Sequence, residues 1–279
     1  MLLSNQQLLF NGTYLPYQNH SQSTQSIGKH EDFFSHEIFM NITSKTSTYY
    51  AYFHYLKTKY KVFVKGPFKT WNDNILYQAF VDELKPFFGL QKIGIHIAKL
   101  DYKGKPLFYL IMRDFGDGAE HYPTKEKDGV KRIDKDKIPI LQMNRWLRAN
   151  DLEKHPEVLK QYVDILLFRQ IIESSDTNNT NIIVNGNKVL SVDENHKGYF
   201  LEGKLYSHRP TKVCAAIVAT YLKKNKTQIS EQLKTWKKLW ESQAFQQRLN
   251  AFGKTIFMQK VLENIEKLVI HHQQDQWQL

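Results

Sequence analysis

Three oxygen-bearing side chains carry the chemistry this 279-residue chain could do: Asp176, Asn181 and Asp193. Carboxylates and amides of this kind bind a hard divalent cation such as magnesium or orient a hydroxyl proton. An Asp, an Asn five residues on, and a second Asp after two short apolar runs suit phosphoryl transfer. There the first Asp orients the attacking hydroxyl, while the Asn and the second Asp grip the metal. Ser, Asp, Thr and Asn are also what turns are made of, so Asp176 to Asn181 alone is equally an ordinary polar loop.

The elements around these residues must position them. Ile182-Ile183-Val184 and Val189-Leu190-Ser191-Val192 predict two short strands about the turn signal Asn185-Gly186-Asn187, a hairpin that sets Asn181 and Asp193 at one end, side by side. Glu157 to Ile172 has a helical period and is apolar enough to be a buried helix delivering the loop at Asp176. Ile140 to Leu147 carries a similar period. Downstream, Thr211 to Leu222, Ile229 to Phe252 and Ile256 to Ile270 predict helices, with Leu233, Trp236, Leu239, Trp240, Phe245 and Leu249 on one buried face. Those tryptophans are expected in the core. His271-His272 lacks a third ligand and is assigned to a tail.

Composition narrows the classes. Hydrophobic residues make up 41%, aromatic 13% and charged 24%, the balance of a globular rather than a disordered chain, long enough for one large or two small domains. No run of 18 apolar residues is present, so no transmembrane segment is expected. The first ten residues lack a basic start and a continuous apolar stretch, so no signal peptide is expected. The single Cys214 excludes an internal disulfide and a cysteine metal cage, and makes a cytoplasmic location, of a cell or an infected host cell, the default. The net charge of +11 suits nucleic acid, an anionic surface or an anionic nucleotide without choosing among them. Zinc-finger spacing and ribonucleoprotein aromatic motifs are absent from the sequence.

Residues 1 to 35 form a polar N-terminal segment, after which aromatic strands follow. Tyr49 to Leu56 and Tyr60 to Gly66 predict two strands that leave Lys65 at a strand end, with Lys61 as the alternative lysine. Trp71-Asn-Asp-Asn74 starts a helix carrying Ile75, Ala79, Phe80 and Leu84 at helical spacing, and with them Glu83. A strand-ending lysine followed by a helical carboxylate is the arrangement that holds an ATP-binding lysine by an ion pair. The alternative is that Glu83 and Asp82 face water. Ile93 to Leu100 and Pro106 to Met112 predict two more strands, the second running into Arg113-Asp-Phe-Gly116. Although Asp114-Phe-Gly116 looks like a magnesium motif, it precedes the Asp-x-x-x-x-Asn loop when it would have to follow it. Met112, Arg113 and Asp114 are instead placed as a hinge whose backbone would meet adenine. Tyr122 to Pro139 is expected to be a charged, mobile insertion.

Phe168-Arg-Gln-Ile-Ile-Glu-Ser-Ser-Asp-Thr-Asn-Asn-Thr-Asn-Ile-Ile-Val184 with Val189-Leu-Ser-Val-Asp-Glu-Asn-His-Lys-Gly198 resembles the catalytic and metal-binding segments of atypical kinases, the phosphoinositide 3- and 4-kinases and the HipA-type protein kinases. Asp82 to Leu90 and the run to Asp114-Phe115 resemble the small-lobe helix and hinge of the same families. The resemblance covers roughly Tyr49 to Gly198. It implies ATP and magnesium as cofactors, Lys65 on the phosphates, Glu83 holding Lys65, Asp176 as the catalytic Asp, and Asn181 with Asp193 on the metal. The chain departs from those families in having Thr177-Asn178 where the lipid kinases place Arg-His, Glu194-Asn195 in place of Phe-Gly, and no G-x-G-x-x-G loop before Lys65.

The expectation is an α+β, two-lobed protein-kinase-like fold: a polar segment 1–35, a small lobe 36–116 with an antiparallel sheet and one helix, and a mainly helical large lobe 117–279. Its function would be transfer of the ATP γ-phosphoryl group to a hydroxyl of a protein Ser/Thr or an inositol lipid. A catalytically weak pseudokinase acting as a binding module and a basic nucleic-acid-associated protein are the alternatives.

Overall fold

The computed structural model of the chain describes residues 29–42, 47–55, 58–69, 73–113, 124–134, 141–174, 179–194, 212–250 and 255–274. The chain divides into two compact units, Met1–Asp82 with Ile93–Pro139, and Glu83–Lys92 with Ile140–Leu279.

In the first unit a short helix α1 (His30–Phe33) leads into strands β1 (Phe34–Ile42), β2 (Ser47–Tyr55) and β3 (Thr58–Phe68); helix α2 (Asp73–Leu84) precedes β4 (Ile95–Tyr102), β5 (Lys105–Arg113), β6 (Thr124–Lys127) and β7 (Val130–Ile133). The sheet is mostly antiparallel, in the order β4-β5-β3-β2-β1-β7-β6. Alternation along β3 works as the sequence predicts: Val62 and Val64 join Tyr49, Ala51, Ala98, Leu100, Tyr109 and Ile111 in one core, while Lys61 and Lys65 on the other face are half-buried. The turn between β4 and β5 puts Lys103 and Gly104 at φ 54° and 76°, the positive pair that a two-residue hairpin needs for its twist.

Two expectations change here. The polar N-terminal segment does not extend to residue 35, because Lys29 bridges to Asp101 and the His30 ring sits 4.9 Å from Phe34 and 5.4 Å from Tyr109. Its Nε2 lies 3.1 Å from Glu37 Oε1 and 3.2 Å from the Tyr49 hydroxyl, and burial holds the imidazole below its usual pKa. The charged stretch expected as an insertion forms the β6–β7 hairpin, turned at Asp128 and Gly129 and joined to β1 in parallel at Phe39 and Arg132. Hydrophobic periodicity missed it because its strands are largely solvated and are held by backbone pairing.

Asp82, the alternative of whose facing water is excluded by its 0% exposure, accepts three backbone N–H groups: Ile93 at 2.9 Å, Gly94 at 2.7 Å and Ile95 at 2.9 Å. One carboxylate thereby fixes where β4 begins. Hydrogen bonds to an ionised group are about twice as strong as neutral ones, so this nest is worth far more than any single turn contact.

The second unit contains β8 (Leu141–Gln142), helices α3 (Met143–Ala149) and α4 (Pro156–Ile171), strands β9 (Ile182–Asn185) and β10 (Lys188–Ser191), and helices α5 (Lys212–Lys224), α6 (Lys226–Glu241), α7 (Gln243–Asn250) and α8 (Thr255–Gln273). Its small sheet runs β10-β9-β8. The stretch expected as one helix from Ile229 breaks at Ser242, whose backbone is extended and whose hydroxyl donates to Leu239 O at 2.7 Å and accepts the Phe245 N–H at 3.4 Å. A serine that closes one helix and caps the next does what neither periodicity nor propensity reports. His272 is no tail residue: it is 1% exposed within α8, with Nε2 2.8 Å from Lys226 O.

Residues 83–92 belong to this unit through Phe88, whose ring lies 5.2 Å from both Phe168 and Trp236 and 6.1 Å from Trp240. The tryptophans are core, as their spacing indicates. Truncating Phe88 to Ala should cost about 3–5 kcal/mol. Urea unfolding followed by tryptophan fluorescence should show a lower midpoint. Asp82→Ala, which strands three buried N–H groups, should cost about 3 kcal/mol or more by the same measurement.

Candidate functional site

The hairpin β9–β10 carries the two predicted metal ligands. Its register pairs Ile182 with Ser191, and one step beyond, the Val192 N–H donates to Asn181 O at 2.9 Å. Asn181 and Asp193 therefore flank the open end of one hairpin, both half-buried, as the strand–turn–strand pattern predicts. Asp193 has a left-handed backbone, φ 56°, a conformation that costs most non-glycine residues of order 1 kcal/mol and that Asp adopts more readily than most.

Helix α4 holds the hairpin at both ends. Gln161 Oε1 accepts the Val189 N–H at 3.0 Å and its Nε2 donates to Asn187 O at 2.7 Å, near the turn of the hairpin. About two helical turns on, some 12 Å along the axis, Arg169 meets the open end. Its Nε donates to Ser191 Oγ at 2.7 Å and its Nη2 to Val192 O at 2.7 Å and Asn181 O at 3.1 Å. Between them Tyr162 donates its hydroxyl to Asn179 Oδ1 at 2.6 Å, and Gln142 Nε2 donates to Thr180 O at 3.2 Å, so the approach to Asn181 is tethered as well.

The end of α4 is itself a device. Ser174 N–H returns to Arg169 O at 2.9 Å and Glu173 N–H to Gln170 O at 3.1 Å, the paired bonds of a Schellman cap with Glu173, φ 53°, where glycine is usual. Asn264 of α8 stabilises this glutamate at 3.3 Å while capping Ile171 O at 3.0 Å.

A fully buried group of charges lies at the open end of the hairpin. Lys85 donates to Ser191 O at 2.7 Å and lies 3.0 Å from Glu194 Oε1, which is also 3.9 Å from Arg169 Nη2; all three side chains are 0% exposed. Burial alone would raise the Glu194 pKa, yet the carboxyl is held below its usual range, because Lys85 and Arg169 and a Ser191 hydrogen bond outweigh the desolvation.

No protein-family model matches the chain, and no curated protein shows significant similarity to it. Among solved structures, the Neurospora crassa PAN3 pseudokinase is similar with a TM-score of 0.38 and 10% identity over 94% of this chain and 71% of that one. A mutant of the same pseudokinase gives 0.36 and 10% over 94% and 70%. Likenesses this distant carry no weight here, so the function rests on the site itself.

The other predicted residues fall as follows. Asp176 and Asp114 lie outside the described residues. Lys65 is on β3 between Thr48 and Leu110, followed by Gly66, at φ 152°, where an added Cβ would stand 2.9 Å from the Tyr109 ring. Met112 pairs with Phe63 and Ile95 within β5, and Arg113 is the last residue of that strand. Glu83 is ion-paired with Lys92, a lysine of the following loop within the same unit. Residue spacing could not see Lys92, which reaches Glu83 because the 3-10 turn Lys85–Phe88 and left-handed Gly89 fold the chain back.

Lys85, Arg169 and Glu194 were missed by sequence reasoning. One signal was available for Arg169: a charge inside the apolar run Ile165-Leu-Leu-Phe-Arg-Gln-Ile-Ile172 must find buried acceptors. Replacing Glu194 by Gln leaves two buried cations without their counter-charge and should cost about 3–5 kcal/mol at neutral pH. Because the folded carboxyl titrates below its unfolded value of about 4.3, that gap should be constant above this pH and shrink as the pH falls through the folded value. Denaturation of both proteins between pH 7 and pH 3 measures it.

Proposed function

We propose that this chain is a kinase-like protein that binds a nucleotide through a divalent metal and transfers the γ-phosphoryl group of ATP to a hydroxyl. The observation that carries the reading is the register of the β9–β10 hairpin, which sets an amide and a carboxylate, Asn181 and Asp193, at one clamped end. An amide and a carboxylate suit magnesium, which keeps several waters and takes one or two protein oxygens together with substrate phosphates. Zinc would need a closed nitrogen or sulfur set.

In this reading Asn181 and Asp193 hold the metal, which when bound neutralises charge on the phosphates. Lys65 meets the phosphates, and Asp176 orients the acceptor hydroxyl. The hinge assignment of Met112, Arg113 and Asp114 remains part of the proposal, as does the acceptor class, a protein Ser/Thr or an inositol lipid. A second reading, nucleotide binding without transfer, draws support from the departures from the kinase pattern at Thr177-Asn178 and Glu194-Asn195.

Thermal unfolding with ATP and magnesium tests binding. At a ligand concentration of 100 times Kd the wild type should gain about 2.7 kcal/mol, raising its Tm by several degrees, and Asp193→Ala and EDTA should each abolish the gain. An equal gain in wild type and Asp193→Ala would remove the metal site. Labelled ATP then separates the two readings: label in the acceptor means transfer, and a thermal shift without label means binding alone.

A further inference from the structure

We propose that Arg169 is a positioning residue whose forked guanidinium, assisted by Lys85, sets the separation and direction of the metal-ligating side chains. This rests on the metal-site reading above. The acceptors of Arg169 are the backbone carbonyl of one ligand, Asn181, at 3.1 Å, the carbonyl of Val192, which precedes the other ligand, at 2.7 Å, and the Ser191 hydroxyl at 2.7 Å. A single planar group thereby spans both strands at their open end.

Lys85 holds the next carbonyl, Ser191 O, at 2.7 Å, and with Arg169 it fixes the Glu194 carboxylate. Residues 191, 192 and 194 are each held, leaving Asp193 between fixed neighbours in a left-handed conformation, φ 56°. The backbone that carries its carboxylate is then fixed by the clamp before any cation arrives. Because Arg169, Lys85 and Glu194 are fully buried, water cannot take over these bonds in their absence. Lysine carries the same charge as arginine but presents a point donor rather than a rigid fork, so it cannot serve both strands at once. Groups that orient metal ligands from behind are worth about 10- to 100-fold in metal affinity.

The test is titration of the full chain with Mn2+ in the presence of ATP, read by electron paramagnetic resonance of free and bound Mn2+. Wild type should bind, and Asp193→Ala should bind at least 10-fold more weakly. Arg169→Lys, provided it retains a cooperative melting transition, should bind about 10-fold more weakly with an altered bound-Mn2+ spectrum, a signature that a merely structural loss would not give. Wild-type affinity and spectrum in folded Arg169→Lys would overturn the inference and leave the metal site standing. Wild type binding no better than Asp193→Ala would end the metal-site reading and the inference with it. If Arg169→Lys does not fold, Ser191→Ala decides: it deletes one acceptor of the fork, keeps every charge, and should weaken Mn2+ binding several-fold, whereas unchanged binding overturns the proposal.

Discussion

Two cations and one carboxylate enclosed together, Lys85, Arg169 and Glu194, are the interaction on which the helical unit depends. Removing each charge from water costs several kcal/mol, and mutual attraction repays this only when the remaining donors and acceptors are also satisfied. Here the donors of Lys85 and Arg169 meet the Ser191 hydroxyl and the carbonyls of Asn181, Ser191 and Val192, and Glu194 supplies the counter-charge at 3.0 Å and 3.9 Å. The Glu194 carboxyl is held below its usual range, because Lys85 and Arg169 outweigh the desolvation that alone would raise it. An apolar triad of equal volume would fill the space but take from the Ser191 and Val192 carbonyls the donors they have here. Specification of the hairpin end explains the charges better than stability does.

The hairpin itself is too short to hold a register in isolation; a lone two-stranded hairpin is marginal in water. Its stability is borrowed from α4, which binds the turn end through Gln161 and the open end through Arg169, and from β8, which extends the sheet by pairing Leu141 with Val184. Side chains about two turns apart on a helix face the same way, and their separation matches a four-residue strand at about 3.3 Å per residue. Asn181 and Asp193, mounted at the open end of a hairpin supported in this way, have their backbone positions fixed by the fold.

The sheet unit solves a different problem, that of aligning long strands whose faces are both covered. Asp82 fixes the start of β4 by collecting three N–H groups, and the aromatic cluster of His30, Phe34, Tyr49 and Tyr109 closes one face. Its buried imidazole is held neutral by desolvation at 3.1 Å from Glu37, so this covering contact is electrostatically quiet above the ordinary histidine range. Gly66 lets β3 pass over Tyr109 just after Lys65, where any Cβ would collide with the ring.

Local pattern determined a large part of this protein. Alternation at Val62 and Val64 fixed the inner face of β3, the period of residues 157–172 fixed α4, and Asn185-Gly186-Asn187 between apolar triplets fixed the hairpin and with it the adjacency of Asn181 and Asp193. Each of these follows from contacts a few residues apart, so one chain segment contains its own instruction. Tertiary structure alone decided which charges meet. Lys85 and Glu194 lie more than a hundred residues apart, Glu83 took Lys92, and the solvated β6–β7 strands joined the sheet by backbone pairing. The energy of such pairings depends on burial and direction, quantities that exist only after the chain has folded.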